Sequence, residues 1–246
     1  MNILISLIGG IVGYLVGSIS FARIIIAIRE PDAAIEKIHT TLPGTDADFS
    51  STSISASTVM HQLGPKWGGI TMALDMLKAV IPTLAFRLLY PDMDAYMVVA
   101  LSVMLGHNYP IYYQFKGGRG LATMMGGFFV FDFIGILCSS ILGVVLGVLS
   151  GQVVLIRWTG ILFMILWAIL FHEGWQATVY VVLANLIFWF AMRKEIARFL
   201  ELRRKKEIQD QKIVAEFMGM GSMYGFIERF SIPGIIRRWR SKKMKT

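Results

Sequence analysis

Six apolar runs, residues 3–28, 67–90, 95–105, 121–156, 158–171 and 176–192, are interrupted by few charges, and they limit what this chain can fold into. The hydrocarbon core of a bilayer takes about 20 apolar residues as helix. Within it the backbone must satisfy its own hydrogen bonds, so helices are the expected element. The run 121–156 is too long for one span and reads as two helices that turn near Phe131, Asp132 and Phe133. The predicted fold is therefore all-α, a polytopic membrane helix bundle of about seven transmembrane helices. Composition agrees: 55% of residues are hydrophobic and 16% charged, where a soluble chain carries about a quarter charged residues. The first run has no basic segment before it and no small-residue cleavage site after it, so it is expected to be a retained span. Cys138 is the single cysteine, which rules out an internal disulfide.

Charge orients the bundle. Residues 193–246 carry fifteen Lys and Arg against six Asp and Glu, whereas the rest of the chain is close to neutral. Basic residues near span ends mark the cytoplasmic side, so this segment is predicted to be a cytoplasmic tail and the N-terminus to lie outside. The loops agree: Arg29, Lys37, Lys66, Lys116, Arg119 and Arg157 fall inside, while Asp92, Asp94, Asp132 and Glu173 fall outside. Only Arg87 departs, and its long side chain can reach the interface from the end of a span. The expected organisation is a transmembrane domain over 1–192 and a basic tail over 193–246, in a multi-pass protein of the cell membrane. Residues 195–215 alternate charge and apolar character and suit a surface helix. Residues 217–246 mix Met, Phe, Trp and Ile with Arg and Lys, which suits anionic headgroups; the other reading is a solvated tail. No nucleic-acid recognition module is present, so nucleic acid is not an expected partner.

The segment richest in chemistry runs from Gly106, His107, Asn108, Tyr109 and Pro110 to Phe115, Lys116, Gly117, Gly118, Arg119, Gly120, Leu121, Ala122 and Thr123. Three glycines in four residues let backbone N–H groups converge, a helix N-terminus follows, and Lys116 and Arg119 add two charges. That combination suits a phosphate; a purely structural turn is the alternative. It is not a Walker loop, which ends Gly-Lys-Ser/Thr. His107 reads as a ligand, a base or a structural hydrogen-bonder. No His or carboxylate stands at metal-ligand spacing, so no metal is expected, and no cofactor either. Asp75 and Lys78 lie three residues apart on one helical face inside the second span. At membrane depth such groups are paired or functional. The polar stretch between the first two spans carries a hydroxyl cluster over 50–58 that includes Ser53 and Ser57. Ser18, Ser20 and Arg23 place two hydroxyls and a cation at the inner end of the first span.

The stretch from Gly106 to Thr123 resembles the signature loop of the bacterial acyl-phosphate:glycerol-3-phosphate acyltransferases. Gly17, Ser18, Ile19, Ser20 and Phe21 are similar to that family's Gly-Ser-Ile-Pro-Phe. Leu63, Gly64, Pro65, Lys66, Trp67 and Gly68, followed by Leu74, Asp75, Met76, Leu77, Lys78 and Pro82, are similar to its second span. The resemblance covers about residues 1–192 and implies a seven-helix enzyme that transfers a fatty acyl group from acyl phosphate to glycerol 3-phosphate. The products are lysophosphatidic acid and phosphate, in the first acylation of phospholipid synthesis. It implies roles for His107, Asn108, Lys116 and Arg119 in catalysis. Ser18, Ser20, Arg23, Ser53, Ser57, Lys66, Asp75, Lys78, Gly117, Gly118, Gly120, Thr123 and Arg193 would contact substrate.

The chain also departs from the family pattern. Where the family reads Asn-x-Gly-Ala-Thr-Asn-x-x-Arg, this chain has Ser53 through His61. Thr159 stands near the position of a serine after the fifth span. For His-Arg-x-Asn-Ile it has Met192, Arg193, Lys194, Glu195 and Ile196. The His-x-x-x-x-Asp pattern of another acyltransferase class is absent, because Gly44, Lys66, Tyr112 and Ala177 lie five residues beyond the four histidines. Two other classes stay open at this point. A transporter would use Asp75, Lys78 and Asp132 as a polar path, although the two halves show no internal repeat. A non-catalytic lipid-phosphate binder would keep the glycine loop alone.

Overall fold

The computed structural model describes residues 2–32, 39–41, 48–50, 53–204, 211–217, 221 and 224–243. Lys37, Ser51 and Thr52, and tail residues 205–210, 218–220, 222–223 and 244–246, lie outside the described residues. In chain order the helices are α1 (Ile3–Gly17), α2 (Phe21–Arg29), α3 (Ala56–Leu63), α4 (Pro65–Leu89), α5 (Ala95–Asn108), α6 (Leu121–Phe131), α7 (Phe133–Ser150), α8 (Val153–Phe171) and α9 (Trp175–Arg204). Three shorter helices follow in the tail: α10 (Gln211–Phe217), α11 (Tyr224–Phe230) and α12 (Ile232–Lys243). The polar segment after α2 adds a small antiparallel hairpin, β1 (His39–Thr41) with β2 (Asp48–Ser50), in which His39 faces Ser50.

The helices are turned inside out relative to a soluble bundle. α1 buries Ser6, Gly9, Gly13 and Gly17 and exposes Leu7, Ile11 and Leu15. α4 buries Gly68, Thr71, Asp75, Lys78 and Thr83 and exposes Ile81 and Leu88. α7 buries Gly135, Ser139, Gly143 and Gly147 and exposes Ile134, Leu137 and Ile141. Small and polar faces inward with aliphatic faces outward are the arrangement lipid requires, because tails solvate Leu as well as another Leu does. Among the described residues, four stretches are long and apolar enough to cross a membrane: Ile3–Arg29, Pro65–Leu89, Phe133–Ser150 and Trp175–Arg204. The apolar helices Leu121–Phe131 and Trp158–Phe171 are shorter.

Backbone contact at glycines sets the closest pairings. A Cβ on Gly17 would lie 2.1 Å from the Val103 carbonyl oxygen, and one on Gly106 would lie 2.2 Å from that of Tyr14. α1 and α5 therefore touch backbone to backbone. A second centre packs Met104, Met124, Phe128, Met164, Tyr180 and Phe188 between α5, α6, α8 and α9.

The structure moves four boundaries from their sequence-based positions. The first apolar run breaks at Ser18, because the Ser20 hydroxyl caps α2 by accepting from the Arg23 N–H. α5 runs on through His107 and Asn108. The turn between α7 and α8 lies at Gly151, whose φ of 70° suits a residue without Cβ; Arg157 belongs to α8. α9 continues without a break past Met192 to Arg204, so the first part of the expected surface helix extends the last apolar run. The turn expected between Phe131 and Phe133 is present. There the Asp132 carboxylate caps α7 by accepting from the Gly135 N–H at 2.8 Å.

Candidate active site

The C-terminal ends of α1 and α5, the N-terminal ends of α2 and α6 and the middle of α4 meet around His107 and Asn108. Asp75 and Lys78 are 2% and 5% exposed, and their side chains pair at 2.8 Å. Lys78 Nζ also lies 2.9 Å from His107 Nδ1 and donates to the Ile19 carbonyl at 2.7 Å. His107 Nδ1 is 3.5 Å from Asp75 Oδ1. One buried ammonium thus links α4, the α1–α2 break and the end of α5, and it faces His107 with a fixed ring edge. The opposite edge meets the glycine loop: a Cβ on Gly118 would sit 2.2 Å from His107 Nε2.

The loop from Tyr109 to Gly120 is clamped to that helix end. Gly118 N–H donates to the His107 carbonyl at 3.0 Å. A Cβ on Gly117 would lie 2.2 Å from the same oxygen, and one on Gly120 2.4 Å from Asn108 Oδ1. Gly120 also has φ of 82°, a conformation that glycine adopts without Cβ strain. The glycine run is therefore first a seat for His107 and Asn108, and at least one of its N–H groups already has a backbone partner. Gln114 and Phe115 hold left-handed φ of 53° and 60°, each costing about 1–3 kcal/mol. Phe115 N–H to Pro110 and Lys116 N–H to Tyr113 hold this bend. Ser18 bridges in from α1, donating to Tyr14 and accepting from Ile111 N–H.

Two features point to a ligand. α6 starts at Leu121, and no side chain among the described residues caps it, which leaves first-turn N–H groups directed toward the loop. Asn108, 3% exposed, has neither amide atom hydrogen-bonded to any described residue. A buried polar atom left unpaired costs about 1–3 kcal/mol, so this amide can take a partner from outside the chain. Lys116 is exposed on the same loop, and Arg23 donates to its carbonyl at 2.9 Å while lying over Tyr113.

Arg119 meets residues from both ends of the chain. Its Nε donates to Glu195 Oε1 at 2.6 Å and to Ser53 Oγ at 3.1 Å. Ser53 Oγ donates to Glu195 at 2.9 Å. Ile54 N–H on Gly117 oxygen, at 3.2 Å, ties the same segment to the loop. His61 lies close enough that its pKa is lowered, by burial first and by the Arg119 charge second. Ser53, His61 and Glu195 are three of the positions that depart from the family pattern, and they surround one guanidinium.

Next to Gly120 a cavity of about 430 Å³ opens between α3, α4, α6, α7 and α8. Its walls include Met60, Met72, Leu121, Met125 and Ile136, with Ser57 at the loop side. Several predicted contacts point elsewhere. Arg193 turns back on its own helix, donating to the Phe190 carbonyl at 2.7 Å and covering the Phe190 ring. Lys66 is exposed in the first turn of α4. The Ser20 and Thr123 hydroxyls serve local backbone. Glu195 was not among the predicted site residues. Its signal was a lone carboxylate one turn past the last apolar run, level with the loop.

Residues 7–202 match the glycerol-3-phosphate acyltransferase family. Proteins named glycerol-3-phosphate acyltransferase from Pseudothermotoga lettingae and Aquifex aeolicus are 31% identical over 49% of this chain and 33% identical over 47%. In each the chain spans about half of the relative's length, at 54%. The protein of that name from Thermoanaerobacter sp. strain X514 is 31% identical over 66% of this chain and 84% of its own. Among solved structures, PlsY (YgiH), an integral membrane glycerol 3-phosphate acyltransferase in its glycerol 3-phosphate form, superposes with a TM-score of 0.66. The identity is 26%, over 80% of this chain and 93% of that one.

Proposed function

Since the chain belongs to the glycerol-3-phosphate acyltransferase family, we propose that it transfers a fatty acyl group from acyl phosphate to glycerol 3-phosphate, giving lysophosphatidic acid and phosphate in phospholipid synthesis. The observation that carries this reading is the buried, unpaired Asn108 amide beside the uncapped start of α6. An acyl phosphate offers oxygens to accept from the amide and the α6 N–H groups, and its negative charge suits a loop that carries Lys116 and Arg119. The apolar cavity beside Leu121 and Met125 takes the acyl chain.

In the reaction the acceptor hydroxyl oxygen bonds to the acyl carbon, and the acyl carbon–phosphate oxygen bond breaks. Phosphate leaves with that electron pair, and one of its oxygens takes the hydroxyl proton. Lys116, Arg119 and the α6 N-terminus stabilise the charge that grows on the leaving phosphate. His107, fixed by Lys78 and Asp75, holds the loop in place, and Asn108 orients the donor. Ser18, Arg23, Ser53 and Ser57 border the acceptor side, and Gly117, Gly118 and Gly120 allow the close approach.

Seven crossings are the reading for the membrane: α1 with α2, then α4 to α9 in turn, N-terminus outside and tail in the cytoplasm. Residues 1–192 form the enzyme domain and 193–246 the tail. α12 exposes Ile232, Ile235, Ile236 and Trp239 at i, i+3, i+4 and i+7, beside Arg237, Arg238 and Arg240, a pattern suited to anionic lipid.

Purified full-length chain with palmitoyl phosphate and labelled glycerol 3-phosphate tests the activity. Phosphate and labelled lysophosphatidic acid should appear in equal amounts, and N108A and K116A should each lower the rate by about 100-fold. Phosphate release above the enzyme-free rate without labelled lipid would assign a different acceptor. Binding without either product would leave a lipid-phosphate binder.

A further inference from the structure

Glu195 has no part in the reaction as written, yet it engages one of the two cations on the loop. Arg119 and Glu195 side chains are each 13% exposed, so water screens the pair only in part. Glu195 comes from α9, Arg119 from the loop before α6, and Ser53 from the segment leading into α3. A carboxylate and a phosphate are acceptors for the same guanidinium face. An anion approaching Arg119 must therefore either displace Glu195 or share the guanidinium with it, and the carboxylate repels it at that distance.

We infer that Glu195 is a specificity-determining residue that competes with anionic substrate for Arg119 and so sets how tightly this site holds a phosphate. The inference rests on the loop being the anion site proposed above. Ser53 strengthens the competition, since its hydroxyl donates to Glu195 while accepting from Arg119. The sequence is consistent: Ser53 and Glu195 both stand where the family pattern has asparagine, whose uncharged amide leaves an arginine's charge uncompensated. The effect is selection against small phosphate anions present in bulk, and in favour of a substrate that brings further binding energy from an acyl chain or polyol.

Equilibrium binding of labelled inorganic phosphate to the full-length protein in detergent tests this without turnover. E195Q should bind phosphate about tenfold tighter than wild type, a change that corresponds to about 1.4 kcal/mol. E195N, neutral and shorter, should do the same and covers the case in which E195Q misfolds. In R119A/E195Q the gain should vanish. Equal or weaker binding by both neutral variants, no measurable phosphate binding by either, or a gain that survives loss of Arg119 would overturn the inference. Because nothing turns over, a wild-type protein that fails to acylate glycerol 3-phosphate leaves this result readable. Unchanged phosphate affinity overturns the competition even where acylation is found.

Discussion

His107 is held on both edges, by Lys78 and Asp75 on one and by the bare backbone of Gly118 on the other. G118A tests that clamp. Its Cβ would fall 2.2 Å from Nε2, so the ring must shift by an ångström or so, and Lys78 loses its neighbour. A misplacement of about 1 Å costs on the order of 100-fold in rate. The acylation rate should fall by about that factor while the thermal midpoint moves only a few degrees, both read on purified protein. Unchanged activity would mean that the ring position is irrelevant. At this scale the sequence singled out residues that the structure brings together, for partly different reasons. His107, Asn108 and the glycines were legible as a group. That the glycines seat the histidine was not, because backbone proximity between positions ten and eleven residues apart depends on α5 running three residues further than its apolar run. Nor did spacing join Asp75 and Lys78 to His107, since that contact crosses from α4 to α5.

Among the elements, the α6–α7 turn was the easiest to foresee: one carboxylate inside an apolar run too long for a single span. Asp132 there accepts from the Gly135 N–H and the Trp167 indole, and lies 2.9 Å from His172 Nε2. Burial acts to raise its pKa, but these hydrogen bonds outweigh it and hold the carboxyl below its ordinary value. A carboxyl lowered on folding contributes stability above its unfolded pKa of about 3.9, lost as pH falls through the folded value. D132A should therefore be less stable than wild type at pH 7, by about 1 kcal/mol for the lost cap. The gap should close as pH drops below about 4, as followed by denaturant unfolding in detergent. A gap independent of pH would place the effect in packing. The α7–α8 turn misled the sequence reading because Arg157 is the conspicuous charge, whereas the break is made by Gly151 among apolar neighbours. The α9 extension was hidden by the rise in charge after Met192, a change in surroundings rather than in helix.

For the whole molecule, the predicted odd number of crossings places the two ends on opposite sides. In a C138A background, a cysteine at Asn2 should react with a membrane-impermeant maleimide added outside sealed right-side-out vesicles. Trypsin outside the same vesicles should leave the tail intact. In inverted vesicles trypsin should cut at Arg237 and Arg238, more slowly when the bilayer contains anionic lipid. Tail cleavage from outside would reverse the topology, and equal rates in neutral and anionic bilayers would remove the lipid contact of α12. Fold class was legible because lipid leaves few alternatives for an apolar chain. The grouping of Ser53, Arg119 and Glu195 was not, because it joins residues 142 positions apart.

The glycine seam of α1 on α5 bears on how such a protein is made. α1 leaves the ribosome before α5, yet Gly13 and Gly17 have as their counterpart the backbone of Val99 and Val103, which is synthesised 86 residues later. Until α5 arrives, α1 presents a narrow groove to lipid with nothing to fill it, and Ile19 waits for Lys78. Arg119 meets Glu195 only when α9 has entered the bilayer. The loop is therefore without its competing carboxylate until α9 is made, and the site reaches its final charge balance only with that helix.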